Sequence, residues 1–325
     1  MPQRRRTVLR HLALAAALGL PVLSWAQAFP AKPLRIVVPF GAGGVADLTA
    51  RTVAQKMAEG LGQAVVIDNK PGAGGVGAGE AVAKAAPDGH TLLLMSNGTA
   101  VSAGLFKSLP YDTLKDFAPV STLGYFDIAI VVPESSRFKT LADLLAFAKA
   151  NPGKLNLGTV NIGSTQNLAA ELFKASAGAD MQVVPFNGTP AVLNALRGNQ
   201  VDAAVEILSP MLPQISAKAV RALAVMGEKH PPALPTVPTV RESGIANFNV
   251  ASWNALAAPA GTPPEVIARL NREVVAALNS ADVKKRLLDL NIEARSSTPE
   301  QLGSLLSSEV KRWGDVITRA NIPRQ

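Results

Sequence analysis

The 325-residue chain contains no cysteine. Disulfides, cysteine-based zinc sites, iron–sulfur clusters and a thiol nucleophile are therefore excluded. Exported proteins with a large core do without disulfides, so this absence leaves the compartment open. Aromatic residues make up only 5% of the chain, too few for a stacking surface that would hold bases or sugars. Histidine is scarce: beyond His11 there are His90 and His230, far apart and without metal-ligand spacing. No G-x-S-x-G elbow is present, and no second acid–base group can be placed beside a first, so hydrolase chemistry finds no support. No run of lysine and arginine interleaved with aromatics occurs, which removes nucleic acid as a partner. After residue 28 no apolar segment reaches the length of a membrane helix.

The N-terminus has the three parts of a secretory leader. Arg4, Arg5, Arg6 and Arg10 form a basic start, Leu12 to Leu23 an apolar run, and Ser24-Trp25-Ala26-Gln27-Ala28 a small-residue cleavage site. Cleavage is expected after Ala28, placing the mature protein outside the cytoplasm. Arg5-Arg6 also fits a twin-arginine export signal, so both export routes stay open. The leader carries four of the basic residues and no acid, so its loss takes the net charge from +8 to +4.

What is abundant is glycine in two particular places. Pro39-Phe40-Gly41-Ala42-Gly43-Gly44 follows the apolar run Leu34 to Val38, and Pro71-Gly72-Ala73-Gly74-Gly75 follows Ala64 to Asp68. Each reads as strand, glycine loop, helix. Glycine lets backbone approach a ligand closely, and a helix start offers unpaired N–H groups of partial positive charge. Two such loops side by side make a cradle for one small anion.

Strands and helices then alternate. A strand at 90–95 opens into the polar turn Ser96-Asn97-Gly98-Thr99, and residues 109–119 read as connecting turns. A second alternating run begins with a strand at 127–132. Its polar loops are Gly163-Ser164-Thr165-Gln166-Asn167, where Ser164 is a good N-cap, and Phe186-Asn187-Gly188. The pattern predicts an α/β protein of two lobes, each a mostly parallel sheet flanked by helices, with ligand at the C-terminal ends of the strands. The expected boundaries are a leader at 1–28, one lobe from 29–126 plus 248–325, and the other from 127–247.

Candidate ligand groups are the backbone of the two glycine loops and the neutral side chains of Ser96, Asn97, Ser164, Thr165 and Gln166, each of which reads equally well as a cap. Asp47 reads as a first-turn helix carboxylate. Asp202 and Glu206 share one face of a predicted strand, within reach of a ligand's polar group. A side chain at Gly74 is expected to block the backbone's approach to the ligand. Gly72-Ala73-Gly74-Gly75-Val76-Gly77 also matches G-x-G-x-x-G, so an exported dinucleotide-dependent oxidoreductase competes with a binding protein. That motif needs an acidic residue at the end of the next strand, where this chain has Met95-Ser96-Asn97.

Seven motifs in order resemble one family. They are Phe29-Pro30-Ala31-Lys32-Pro33-Leu34-Arg35 with the first loop, Asn69-Lys70-Pro71-Gly72-Ala73-Gly74-Gly75, Pro87-Asp88-Gly89-His90-Thr91-Leu92-Leu93 and Leu109-Pro110-Tyr111-Asp112. Ala150-Asn151-Pro152-Gly153-Lys154, Leu234-Pro235-Thr236-Val237-Pro238-Thr239 and Pro259-Ala260-Gly261-Thr262-Pro263 complete the set. On these residues the chain resembles the substrate-binding receptors of tripartite tricarboxylate transporters, the Bug receptors.

The resemblance implies a monomeric two-lobed periplasmic receptor of the type II, Venus-flytrap kind. It closes on a small di-, tri- or aromatic carboxylate for a membrane transporter or a sensor kinase, without chemistry or cofactor. It places Phe40, Gly41, Ala42, Gly43 and Asp47, with Ala73, Gly74 and Gly75, around one carboxylate. Gly163, Ser164, Thr165, Phe186, Asn187, Gly188 and Asp202 come from the other lobe. The family's usual histidine is Asn167 here, and its tyrosine–lysine pair is Phe186-Asn187, which points to a less charged or more apolar far end of the ligand. At 41–42, where the family has proline or alanine, this chain has Gly41-Ala42.

Overall fold

The computed structural model describes residues 29–325 apart from Asn247 and Ala320. The expected leader lies outside the described residues.

The short β-branched runs form strands. β1 (Leu34–Val38) pairs in parallel with β2 (Val65–Asn69) and with β3 (Thr91–Ser96). Between the first two runs α1 (Val45–Leu61), which ends at Gly62 in the left-handed conformation. Its apolar positions Val53, Met57 and Leu61 pack with Ile36, Val38, Leu92 and Leu94. Burial of each of these side chains contributes about 1.5–3 kcal/mol.

The second half repeats the plan. β5 (Leu155–Val160) lies parallel to β6 (Met181–Phe186) and to β7 (Ala203–Ile207). α5 (Thr165–Ala177) follows β5, and α6 (Thr189–Arg197) follows β6. In both halves the parallel strands therefore deliver their loops at one edge.

One strand joins the two halves. β4 (Phe117–Pro133) pairs antiparallel with β9 (Ala251–Pro259) from Phe117 to Asp127. From Ile128 onward its partners are β7 and β8 (Val220–Val225). β9 in turn pairs with β3. The chain crosses back beside β4, where the Val250 N–H donates to the Met226 carbonyl and the Met226 N–H to the Ile128 carbonyl. Residues 117–119, expected as turns, are the start of this strand; Pro119 and Gly124 sit at its register shifts, where a bulge accommodates them.

The turn expected at 96–99 is likewise the first turn of α3 (Asn97–Leu105). Short α-helices at Leu208–Ser216 and Ala281–Asp289 lie in stretches for which no helix was read. The long helix α10 (Pro299–Arg319) packs Trp313, Ile317 and Leu306 against the same core that holds Leu105, Leu168 and Phe173, so one apolar cluster runs through both halves.

Candidate functional site

At the C-terminal edge of the first sheet the two glycine loops lie side by side. Gly44 starts α1 in extended conformation without a side-chain cap, and Gly75 starts α2 (Val76–Ala83) at φ 70°, also without one. Both helix starts leave backbone N–H groups without side-chain acceptors, on neighbouring strands. Phe40, Gly41, Ala42 and Gly43 are exposed. An added Cβ at Gly41, Gly43 or Gly72 meets nothing within 4 Å.

The first loop is held from beneath by Asp47. Its buried carboxylate accepts the Gly43 N–H at 2.9 Å, the Arg51 Nε–H at 2.9 and 3.0 Å, and Asn69 Nδ2 at 2.9 Å. Asn69 Nδ2 also lies 3.0 Å from the Phe40 carbonyl, and Arg51 Nη2 donates to Asn69 Oδ1 at 3.1 Å. Burial alone would raise the Asp47 pKa; the hydrogen bonds from Arg51, Gly43 and Asn69 outweigh it and hold the carboxyl below its usual range. Asp47 is therefore a positioning residue for the loop. Arg51 and Asn69, which sequence reasoning passed over, complete the brace; the i,i+4 spacing of Asp47 and Arg51 was the available signal.

The second loop turns at Gly74 and Gly75, both at positive φ (59° and 70°). Gly75 N–H closes the turn on the Gly72 carbonyl at 3.0 Å. A Cβ at Gly74 would stand 2.4 Å from the Phe106 ring and 2.6 Å from Ser102 Oγ. The expectation that a side chain there projects at a ligand is thus corrected: it projects into α3, whose Ser102 hydroxyl lies 2.8 Å from the Gly74 carbonyl. Ala73 lies in the same turn.

Ser96 and Asn97, read either as ligand donors or as caps, both bond within the protein. Ser96 caps α3: its Oγ accepts the Gly98 N–H at 3.1 Å, and its own N–H donates to Thr99 Oγ1 at 3.1 Å. Asn97 is fully buried, donating to the Ala251 carbonyl at 3.2 Å and accepting the Trp313 indole N–H at 3.3 Å.

From the second half come two loops at the matching edge. Gly163, at φ 80°, donates to Asn167 Oδ1 at 3.3 Å, and a Cβ there would reach Leu105 of α3 at 2.5 Å. Ser164 caps α5, accepting the Asn167 N–H at 3.1 Å. Thr165 Oγ1 lies 3.5 Å from Ser252 Oγ on β9. Phe186, the exposed Asn187 and Gly188 form the turn into α6, which also starts without a side-chain cap.

Asp202 does not join them. It accepts the Asn156 N–H at 2.9 Å and returns its own N–H to the Asn156 carbonyl at 3.0 Å, at the N-terminal ends of β5 and β7. That is the opposite edge of the sheet. Glu206, four residues on, is at the right edge and fully buried. Its Oε2 accepts Thr189 Oγ1 at 3.2 Å, the Ile207 N–H at 3.1 Å and Gln166 Nε2 at 3.4 Å. Burial pushes its carboxyl up to about 7 against those three donors.

Among the described residues no group of three or more histidine, aspartate or glutamate side chains could hold a metal ion. The G-x-G-x-x-G stretch does lie between a strand and a helix, but β3 ends in Ser96 with no acidic residue to meet a ribose. No helix among the described residues is long and apolar enough to cross a membrane.

The sequence model described as "Tripartite tricarboxylate transporter family receptor" matches residues 49–322. The chain belongs to this receptor family. Its structure agrees: the periplasmic binding protein BugD superposes with a TM-score of 0.82 at 32% identity, over 91% of this chain and all of that one. Rpa4515 of R. palustris, solved with adipate, gives 0.83 at 33% identity over 91% and 99% of the two chains. MatC of Rhodopseudomonas palustris, with bound malate, gives 0.80 at 35% identity over 89% and 100%. The fold is thus the two-lobed α/β architecture of periplasmic binding proteins, and the chain is a solute-binding receptor by family.

Proposed function

We propose that this receptor captures a small carboxylate between its halves and presents the closed, loaded form to a membrane transporter or a sensor. The observation that carries the reading is the pair of uncapped helix starts on adjacent strands, with the first loop fixed by Asp47. Backbone N–H groups of Phe40, Gly41 and Ala42 and of Ala73 and Gly74 meet the carboxylate, with those of Gly43 and Gly75 engaged by Asp47 and the Gly72 carbonyl to shape the loops. The loops at 163–165 and 186–188 close over it. Arg51, which braces the first loop, is engaged by Asp47, so helix-terminal N–H groups carry the anion's charge. Bound adipate and malate in two relatives of similar fold support a carboxylate ligand.

The lobes divide at 29–126 plus 248–325 and at 127–247, where β4 exchanges β9 for β7. Ligand stabilises the closed arrangement by its differential affinity, and no chemistry is performed. The mature protein acts in the periplasm as a monomer after loss of the leader.

A thermal-shift screen of the mature protein against carboxylates, with nicotinamide and flavin nucleotides alongside, tests this. A micromolar carboxylate at millimolar concentration is expected to stabilise by about 4 kcal/mol. A shift with a dinucleotide and with no carboxylate overturns the reading.

A further inference from the structure

The stretch from Pro231 to Pro238 holds four prolines and forms a strap against β8. The chain leaves β8 after Val225, turns where the Pro231 carbonyl accepts the Leu234 N–H at 2.9 Å, and returns beside the strand it left. There the Val225 N–H donates to the Pro238 carbonyl at 2.9 Å, and the Val240 N–H donates to the Val225 carbonyl at 2.8 Å. Leu234 and Val237 rest on the apolar cluster that holds Val220, Ala222 and Val225. Elsewhere the strap leaves a cavity of about 330 Å³ against Leu141, Ala142 and Leu223, so it is not packed along its whole length. Met226, the next residue after Val225, is the one bonded to Ile128 and Val250 where the chain crosses between the halves.

His230 ties the strap across. Its Nδ1 lies 2.8 Å from the Pro235 carbonyl oxygen and its Nε2 lies 2.8 Å from Glu242 Oε2. Glu242 is itself fixed: the same Oε2 accepts the Thr239 N–H at 2.8 Å, and Thr239 Oγ1 accepts the Glu242 N–H at 3.1 Å. A carbonyl oxygen and an ionised carboxylate only accept hydrogen bonds, whereas a neutral imidazole has one N–H and one lone pair. Both ring bonds therefore exist together only when both nitrogens carry hydrogen. Neutral His230 keeps one bond and turns a lone pair toward oxygen at the other. The Thr239 N–H, then His230, hold the Glu242 carboxyl below its ordinary value, so it is ionised wherever histidine titrates. The Pro235 carbonyl, then Glu242, raise the value of His230. Glu242 is the charged group that faces the ring. Glu228, Lys229 and Arg241 in the same segment contribute nothing to its shift, and Arg221 of β8 is paired with Glu134.

We propose that His230 and Glu242 form a proton-operated clasp: with the proton bound the strap is fixed on β8, and without it the strap loosens beside the junction of the halves. The clasp lies outside the glycine loops and stands independently of the carboxylate reading. Because the folded value of His230 is raised, the clasp's contribution is fully present below the ordinary 6.5 and is lost as pH rises through the folded value. Both side chains are partly exposed, so the effect is local, a change of about two- to fivefold in how often the strap opens.

The test follows the ring and the strap in the same purified protein. A long-range 15N–1H spectrum reads the His230 ring nitrogens from pH 5 to pH 9. Hydrogen exchange, corrected for intrinsic rates, reads the Val225 and Val240 amides over the same range. Two protonated ring nitrogens are expected at pH 6, and exchange that quickens about two- to fivefold with the midpoint of the ring's titration. His230→Arg keeps several N–H donors on a group that does not titrate, and is expected to give slow exchange at every pH. His230→Gln is expected to give fast exchange at every pH. A single protonated ring nitrogen at pH 6 overturns the clasp. So does wild-type exchange that ignores the ring's titration, or a wild-type pH response in either variant.

Discussion

Pro39 and Gly75 hold the two glycine loops against each other. A Cβ at Gly75 would stand 2.8 Å from Pro39 Cβ, and Gly75 is at φ 70°, so the contact exists because position 75 has no side chain. Gly75→Ala is expected to push the loops apart. Stability should fall by about 1–3 kcal/mol from strain and overpacking, with at least a tenfold loss of carboxylate affinity. Urea denaturation and calorimetry on the same preparation check both.

Gly41 is the contrasting position. It is exposed, its backbone is not in the left-handed region, and an added Cβ meets nothing within 4 Å. Gly41→Val should therefore leave stability within about 0.5 kcal/mol while its side chain stands among the loop's N–H groups and lowers affinity tenfold or more. A folded Gly41→Val protein with wild-type affinity would remove this loop from the site.

Asp47→Asn tests the brace beneath the first loop. The amide loses the charge that holds Arg51, and stability is expected to fall by about 1–3 kcal/mol, with weaker carboxylate binding. The folded pKa of Asp47 is depressed below its ordinary 3.8. Its contribution is therefore fully present above about pH 4 and lost as pH falls through the folded value. Acid denaturation of the variant should begin from a lower plateau and show a shallower acid limb than the wild type.

Glu206 gives the opposite sign. Burial raises its folded pKa from 4.5 to about 7. Between those values the folded protein holds a proton that the unfolded chain has released. The group's contribution therefore declines as pH rises from about 4.5 to about 7, by on the order of 3 kcal/mol, and is level above that. Glu206→Gln should remove this slope. Chemical denaturation at pH 5, 6, 7 and 8 measures it.

Much of the plan was legible because β-branched runs, glycine loops and helix stripes repeat along the chain: Leu34 to Val38 is a strand as read, and the run read at 64–68 is one at Val65 to Asn69. β4 was not legible at its start, since Pro119 and Gly124 look like turn residues and only their placement at bulges makes them tolerable. Asp202 and Glu206 do lie four apart on or beside one strand, but alternation reports a face and not an end. Topology puts Asp202 at the wrong edge and Glu206 between two candidate loops. Ser96 and Asn97 are ordinary polar letters until the cap of α3 and the Trp313 contact are known. The bonds of Asp47 to Asn69 depend on tertiary neighbours that no local pattern announces.

The central claim is that backbone N–H groups of the two glycine loops hold the ligand's carboxylate. Selective 15N labelling of glycine, followed by titration with malate and adipate in a 15N–1H correlation spectrum, tests it most directly. The Gly41 and Gly74 amide signals are expected to move most as the ligand saturates, Gly43 and Gly75, bonded to Asp47 and Gly72, less so, and the exposed Gly178, at the end of α5, not at all. Saturable binding that leaves all four loop glycines in place would contradict the account.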